Sequence, residues 1–159
     1  MGCGIFRYRG KWQKSFLESE WVYGLLTCYD EKTATIKSVT DGKSYSVNPK
    51  TIGICTVTQS MDFSQEAYDG DIVRVTDDYD DPCGYTRTFY NDYLCGWNDD
   101  ISAFCFYYID PEMGIQYDDY VLMTEFEKCD DFSVIGNEYD NPDLLKKQKF
   151  IKEEYDGLI

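Results

Sequence analysis

Asp69-Gly70-Asp71-Ile72-Val73-Arg74-Val75 is the stretch on which the fold turns. A glycine between two aspartates reads as a tight turn that needs a positive φ, open to glycine at little cost. The residues after it alternate, so Ile72 and Arg74 should face opposite ways from Val73 and Val75. A turn feeding a half-buried strand is a β signal, and it recurs in both directions. Upstream lie the apolar run Trp21–Leu26, the β-branched run Thr33–Val39, a hairpin turn at Asp41-Gly42 leading into Ser44–Val47, and Ile52–Thr58. Downstream lie Thr86–Tyr90, Tyr93–Trp97, Ala103–Ile109, Tyr120–Met123 and Phe132–Ile135. Ala103–Ile109 is nearly all apolar and is expected to be central. Many short strands with Gly turns predict a mostly β fold, a β-barrel or sandwich in which SH3-like strands fit.

One short C-terminal α-helix is expected to close the chain. Asn141 suits the N-cap, Pro142 the first helical position and Asp143 the first turn. Leu144, Leu145, Gln148, Ile151 and Tyr155 then share a face at helical spacing. No internal repeat and no Pro- or Ser-rich linker interrupts the chain, which reads as a single domain over residues 1–159.

Composition narrows the chemistry. Hydrophobic residues make up 43% and aromatics 17% of the 159 residues, too much apolar area for a disordered chain even at a net charge of −15. There is no histidine, so Ser-His-Asp and Cys-His machinery and His-based metal sites are excluded. No phosphate-binding glycine loop is present. The seven cysteines never form Cys-x-x-Cys, the spacing of zinc ribbons. They are expected to be buried, reduced thiols, with no intrachain disulfide. A calcium loop counted from Asp78 fails, because Cys83 stands where the turn Gly belongs and Phe89 where the bidentate Glu belongs. No metal or other cofactor is expected. No apolar run reaches the length of a membrane span, and the first residues do not read as a secretory signal. A cytoplasmic protein is expected, with no membrane partner.

The charge is unevenly placed. Residues 1–74 carry nine acids and nine bases, residues 75–127 carry thirteen acids against Arg87 alone, and residues 128–159 carry eight acids and five bases. The acids cluster at Asp77-Asp78-Tyr79-Asp80-Asp81, Asp99-Asp100, Asp110-Pro111-Glu112 and Asp118-Asp119, each expected in a loop between strands. Such a chain repels nucleic acid and anionic membranes and attracts basic partners. Tyrosines interleave with these carboxylates, and exposed rings beside charge offer rigid contact area. The candidate binding residues are therefore Asp77, Asp78, Tyr79, Asp80, Asp81, Asp99, Asp100, Tyr117, Asp118 and Asp119. A solvated acidic surface kept for solubility is the competing reading.

Four islands of the sequence resemble the YopX-type family of phage and prophage proteins. Trp21-Val22-Tyr23-Gly24 matches an early element of that family. Val47-Asn48-Pro49-Lys50-Thr51-Ile52-Gly53 is similar to its Val-Asp-Pro-Glu-Thr-Val-Gly stretch. Tyr68-Asp69-Gly70-Asp71-Ile72-Val73 resembles its Tyr-Glu-Gly-Asp-Ile-Val turn. The segment from Phe132 to Leu145, with Val134-Ile135-Gly136-Asn137 and Asn141-Pro142, is similar to its closing segment. The islands agree in order from about residue 21 to 145. Cys55–Asp62 departs from the family's Tyr-Thr-Gly-Leu continuation, and the acidic segment at about 76–131 matches nothing in it. The resemblance implies a phage or prophage product of β architecture in a bacterial host cell. It brings no catalytic residues.

The sequence thus predicts a non-catalytic accessory protein rather than an enzyme. Its divergent acidic, Tyr-rich segment would engage a basic host or defence protein, imitating a row of phosphates without binding nucleic acid directly. Two alternatives stay open: a phage assembly or scaffold protein acting by self-association as a homo-oligomer, and a hydrolase using paired carboxylates.

Overall fold

A computed structural model of the chain describes residues 7–57, 66–122 and 132–145. The chain forms two compact units, Met1–Thr56 and Val57–Ile159, a division that no linker in the sequence marks. Both are built from β-strands.

In the first unit the strands are β1 (Tyr8–Gln13), β2 (Ser19–Tyr29), β3 (Ala34–Ser38), β4 (Ser44–Val47) and β5 (Gly53–Val57). β2 pairs with β3, β3 with β4 and β4 with β1, and β1 returns to pair with β2. Four antiparallel strands therefore close a small barrel, and β5 adds to β1. Period-2 alternation fills it: in β3, Ala34, Ile36 and Ser38 are buried while Lys37 points out. Val22 and Val47 complete the core, with Trp12, Leu26, Tyr45 and Ile52 packed around it. Gly24 has a steric reason to be glycine, since a Cβ there would stand 2.0 Å from the Lys37 carbonyl oxygen. β1 is not among the expected strands, because Tyr8-Arg9-Gly10-Lys11-Trp12-Gln13 mixes charge and ring without an apolar run.

The second unit contains the two-residue β6 (Ala67–Tyr68) and the longer β7 (Asp71–Asp80), β8 (Thr86–Asn98), β9 (Ala103–Asp110), β10 (Gly114–Leu122) and β11 (Phe132–Asn137). The last five form an antiparallel sheet in the order β10-β9-β8-β7-β11. Both faces are core. Val73, Cys95, Phe106 and Phe132 pack with Ala67 on one, and Ile72, Leu94, Cys105, Tyr107 and Ile109 on the other. The predicted opposition of Ile72 to Val73 and Val75 holds, and β9 is flanked by β8 and β10 as its apolar sequence requires. Gly70 has φ +91°. Its N–H donates to the Cys95 carbonyl, and its own carbonyl accepts from the Glu138 N–H, both at 2.9 Å. The turn thereby ties β8 to the end of β11.

Three expectations need correcting. Thr86–Tyr90 and Tyr93–Trp97 are one continuous strand, because Asn91 and Asp92, weak strand formers, are carried by pairing to Val75 and Arg74. Asp77 to Asp80 are not in a loop: they lie within β7, and only Asp81 belongs to the turn; Asp118 and Asp119, also expected in a loop, lie within β10. Cys95 and Cys105 are buried as expected, but Cys28, near the end of β2, and Cys83, in a hairpin turn, are exposed. Of the expected C-terminal helix, a 3-10 turn at Pro142–Leu145 is seen; Gln148, Ile151 and Tyr155 lie outside the described residues.

Candidate binding surface

β7 and β8 are longer than their neighbours. Among the described residues, β11 accompanies β7 only as far as Val75, and β9 accompanies β8 only as far as Asp92. Pairing of β7 with β8 continues outward from Thr76↔Tyr90 to Asp80↔Thr86. The result is a two-stranded arm that projects roughly 16 Å past its neighbouring strands, at about 3.3 Å per residue. Its tip is the turn Asp81-Pro82-Cys83-Gly84-Tyr85. There the Asp81 carboxylate accepts from the Cys83 N–H at 2.8 Å and the Asp81 N–H donates to the Tyr85 carbonyl at 2.7 Å.

Aspartate is a poor strand former, because its short side chain competes for backbone donors. The opposite strand removes that competition. Thr88 donates its hydroxyl to Asp78 Oδ1 at 2.6 Å, and Thr86 donates to Asp80 Oδ1 at 3.0 Å. Each carboxylate is thus held by one oxygen, leaving the other toward solvent. Asp78 and Asp80 are both exposed and, two residues apart on one strand, stand about 6.6 Å from each other on the same side. Asp77 and Tyr79 occupy the alternate positions, paired with Phe89 and Arg87; their side chains lie outside those described. At the root of the arm Arg74 forms a two-pronged pair with Asp92, at 2.8 and 3.0 Å, and its guanidinium sits 4.0 Å from the centre of the Tyr90 ring. Asp92 holds the Arg74 proton more firmly than usual. Near the tip Arg87 Nε meets Asp81 at 3.1 Å. Residues 76–91 carry four acids and one base.

The remaining candidates are elsewhere. Asp99 and Asp100 follow the far end of β8, roughly 40 Å along the strand from Thr86. They line a recess of about 460 Å³ together with Asp69, Glu138, Trp97 and Tyr117. Trp97 Nε1 donates to Asp99 at 2.9 Å. Tyr107 forms part of the wall, donates to the Trp97 carbonyl at 3.2 Å and meets the Tyr117 ring edge-on at 5.3 Å. Burial pushes the Tyr107 phenol well above its ordinary ionisation range, with the Cys105 thiol and the charges of Tyr117 and Asp99 adding to the shift. Burial likewise raises Cys105 and Tyr108. Tyr117, Asp118 and Asp119 are extruded from edge strand β10, where the register jumps between Gln116 and Tyr120, and all three are exposed.

The ten predicted residues thus form an arm-borne group, Asp77–Asp81, and a group at the other end of the sheet, Asp99, Asp100 and Tyr117, with Asp118 and Asp119 on the β10 bulge. They do not make one continuous surface. The sequence reading missed Arg74, Asp92 and Tyr90 at the arm's root and Trp97, Asp69 and Glu138 in the recess. Thr86-x-Thr88 beyond a turn supplies hydroxyls opposite Asp80 and Asp78, a pattern that carries meaning only once the β7–β8 register is known. Among the described residues no group of three or more Cys, Asp or Glu is arranged to hold a metal ion, and no helix is long and apolar enough to cross a membrane. No family model, no curated protein and no solved structure matches the chain.

Proposed function

We propose that the chain is a non-catalytic binding protein whose projecting β7–β8 arm engages a basic protein partner. The observation that carries this reading is the spaced pair Asp78 and Asp80, exposed on the arm and steadied by Thr88 and Thr86. A steadied carboxylate row meets a Lys/Arg groove with little ordering cost, and in that groove it displaces a polyanion. The YopX-type resemblance of the sequence adds a phage or prophage origin, which makes a basic host or defence protein in the bacterial cytoplasm the natural partner. On that reading Asp77, Tyr79 and Asp81 belong to the contact. Asp99, Asp100, Tyr117, Asp118 and Asp119 form a separate acidic zone.

Capture from host lysate with tagged protein tests this. A basic protein should be retained at low ionic strength, released at high ionic strength, and lost when Asp77, Asp78, Asp80 and Asp81 are all replaced by Asn. Retention of the same protein by that variant would overturn the reading. Assembly by self-association is the second reading, favoured by the strand edges the arm leaves open. Sedimentation of the protein alone separates the two.

A further inference from the structure

We infer that the outer edge of β8 along the arm accepts an extended Lys/Arg-rich segment of the partner as an added strand. This rests on the basic-partner reading and specifies how the contact is made. β9 leaves β8 at Asp92, and from Thr86 to Tyr90 the strand is exposed throughout. An edge strand directs every second backbone N–H and C=O outward, and those groups template a further strand. Among the described residues no strand pairs with this side of β8 beyond Asp92. The segment Thr86–Asn91 contains no proline, and its one charged side chain, Arg87, is drawn to Asp81 at 3.1 Å.

Charge chooses the occupant. An added strand would lie about 4.8 Å from β8, one strand beyond the carboxylates of β7. A Lys or Arg side chain from that position spans β8 and reaches Asp78 or Asp80, whose Thr partners occupy one oxygen each. Within the chain, the adjacent-strand pair Arg74 and Asp92, stacked on the Tyr90 ring, shows the same guanidinium–carboxylate chemistry on this face. A second copy of the arm is disfavoured by the same charges, since like carboxylates would be brought together.

The probe is a short fluorescent peptide alternating Lys with Val, used with two analogues N-methylated at alternate sets of amides. Strand addition uses only one set of amides, so one analogue should bind about tenfold or more weakly while the other binds like the parent peptide. The Asp78→Asn/Asp80→Asn protein should weaken binding of all three. Equal behaviour of the two analogues, whether both bind or both fail, overturns strand addition. If the charge-neutralised protein still weakens binding in that case, the basic-partner reading stands without it. Failure of the parent peptide to bind at low salt, or binding indifferent to the Asp→Asn changes, overturns both. A dimer of the protein alone that the Asp→Asn changes strengthen would assign the edge to a second copy.

Discussion

The barrel and the five-stranded sheet unit handle the same two problems, strand edges and charge, in opposite ways. The barrel pairs β1 back onto β2, so four of its strands have no outer edge. Its 56 residues carry eight bases and five acids, for a net of +3. Among the described residues the sheet unit stays open, with β10 and β11 outermost and the β7–β8 pairing continuing past their last pairs with β11 and β9. It carries seven bases and 25 acids, for −18. Carboxylates on an open edge repel a second acidic copy, which makes the edge selective rather than merely sticky. Acidity and open edges thus coincide in one unit.

The comparison can be tested first where the effect is largest, in the two cores. Phe106 and Ile36 are fully buried, one in each unit. Phe106→Ala should destabilise the sheet unit by about 4 kcal/mol, and Ile36→Ala the barrel by about 3 kcal/mol, through lost burial and an unfilled cavity. Hydrogen exchange resolved by segment should show each loss of protection confined to its own unit. Protection lost equally in both units for either variant would mean that they unfold as one.

Next comes the turn that opens the sheet. Gly70→Val places a branched side chain at φ +91° with its Cβ 3.1 Å from the Tyr139 ring. It should cost roughly 1–3 kcal/mol through backbone strain, read as a lower midpoint in denaturant at unchanged slope. An unchanged midpoint would show that the turn tolerates the strain and does not hold β8 to β11.

Much of this architecture was legible because it rests on local signals. Gly70 between aspartates, the alternation after it and the apolar run of β9 each fix an element without reference to distant residues. The arm was not legible for the opposite reason. Asp77, Asp78 and Asp80 have low strand propensity, and Thr86 and Thr88, six residues from Asp80 and ten from Asp78, help to keep them in β7. Acidic runs therefore read as loops until the pairing is known. The candidate residues were found by charge and ring content, which is indifferent to place. Their separation along β8 depends on strand length, and a reading that split β8 at Asn91 could not foresee it.

Tyr107 offers a smaller test within the sheet. Its folded phenol is held above its ordinary value by burial, while the unfolded chain ionises near pH 10. Below that pH both states are neutral and the shift has no effect. Above it the unfolded state loses its proton first, so stability falls as pH rises. Tyr107→Phe removes that term and should flatten the alkaline limb of a thermal melt series between about pH 10 and 12. At neutral pH it should cost about 1 kcal/mol for the lost bond to the Trp97 carbonyl. An alkaline limb as steep as the parent's would place the sensitivity in other groups, Tyr108 and Cys105 first.

The smallest expected change in stability accompanies the change that matters most to binding. Asp78→Asn and Asp80→Asn keep the side-chain shape and an oxygen for Thr88 and Thr86. Each should alter folding by no more than about 0.5 kcal/mol, as exposed substitutions do. Exposed charges act over a Debye length of roughly 8 Å at physiological ionic strength, so the two together set the field of the arm without stabilising it. Their loss should lower affinity for the basic partner mainly by slowing association, because steering acts on the encounter. Asp118→Asn and Asp119→Asn, on the β10 bulge, should change association much less if the arm is the contact. Binding kinetics at two salt concentrations read both sets. A larger loss from the bulge pair than from the arm pair would move the interaction surface off the arm and leave the coincidence of charge and open edge without a function.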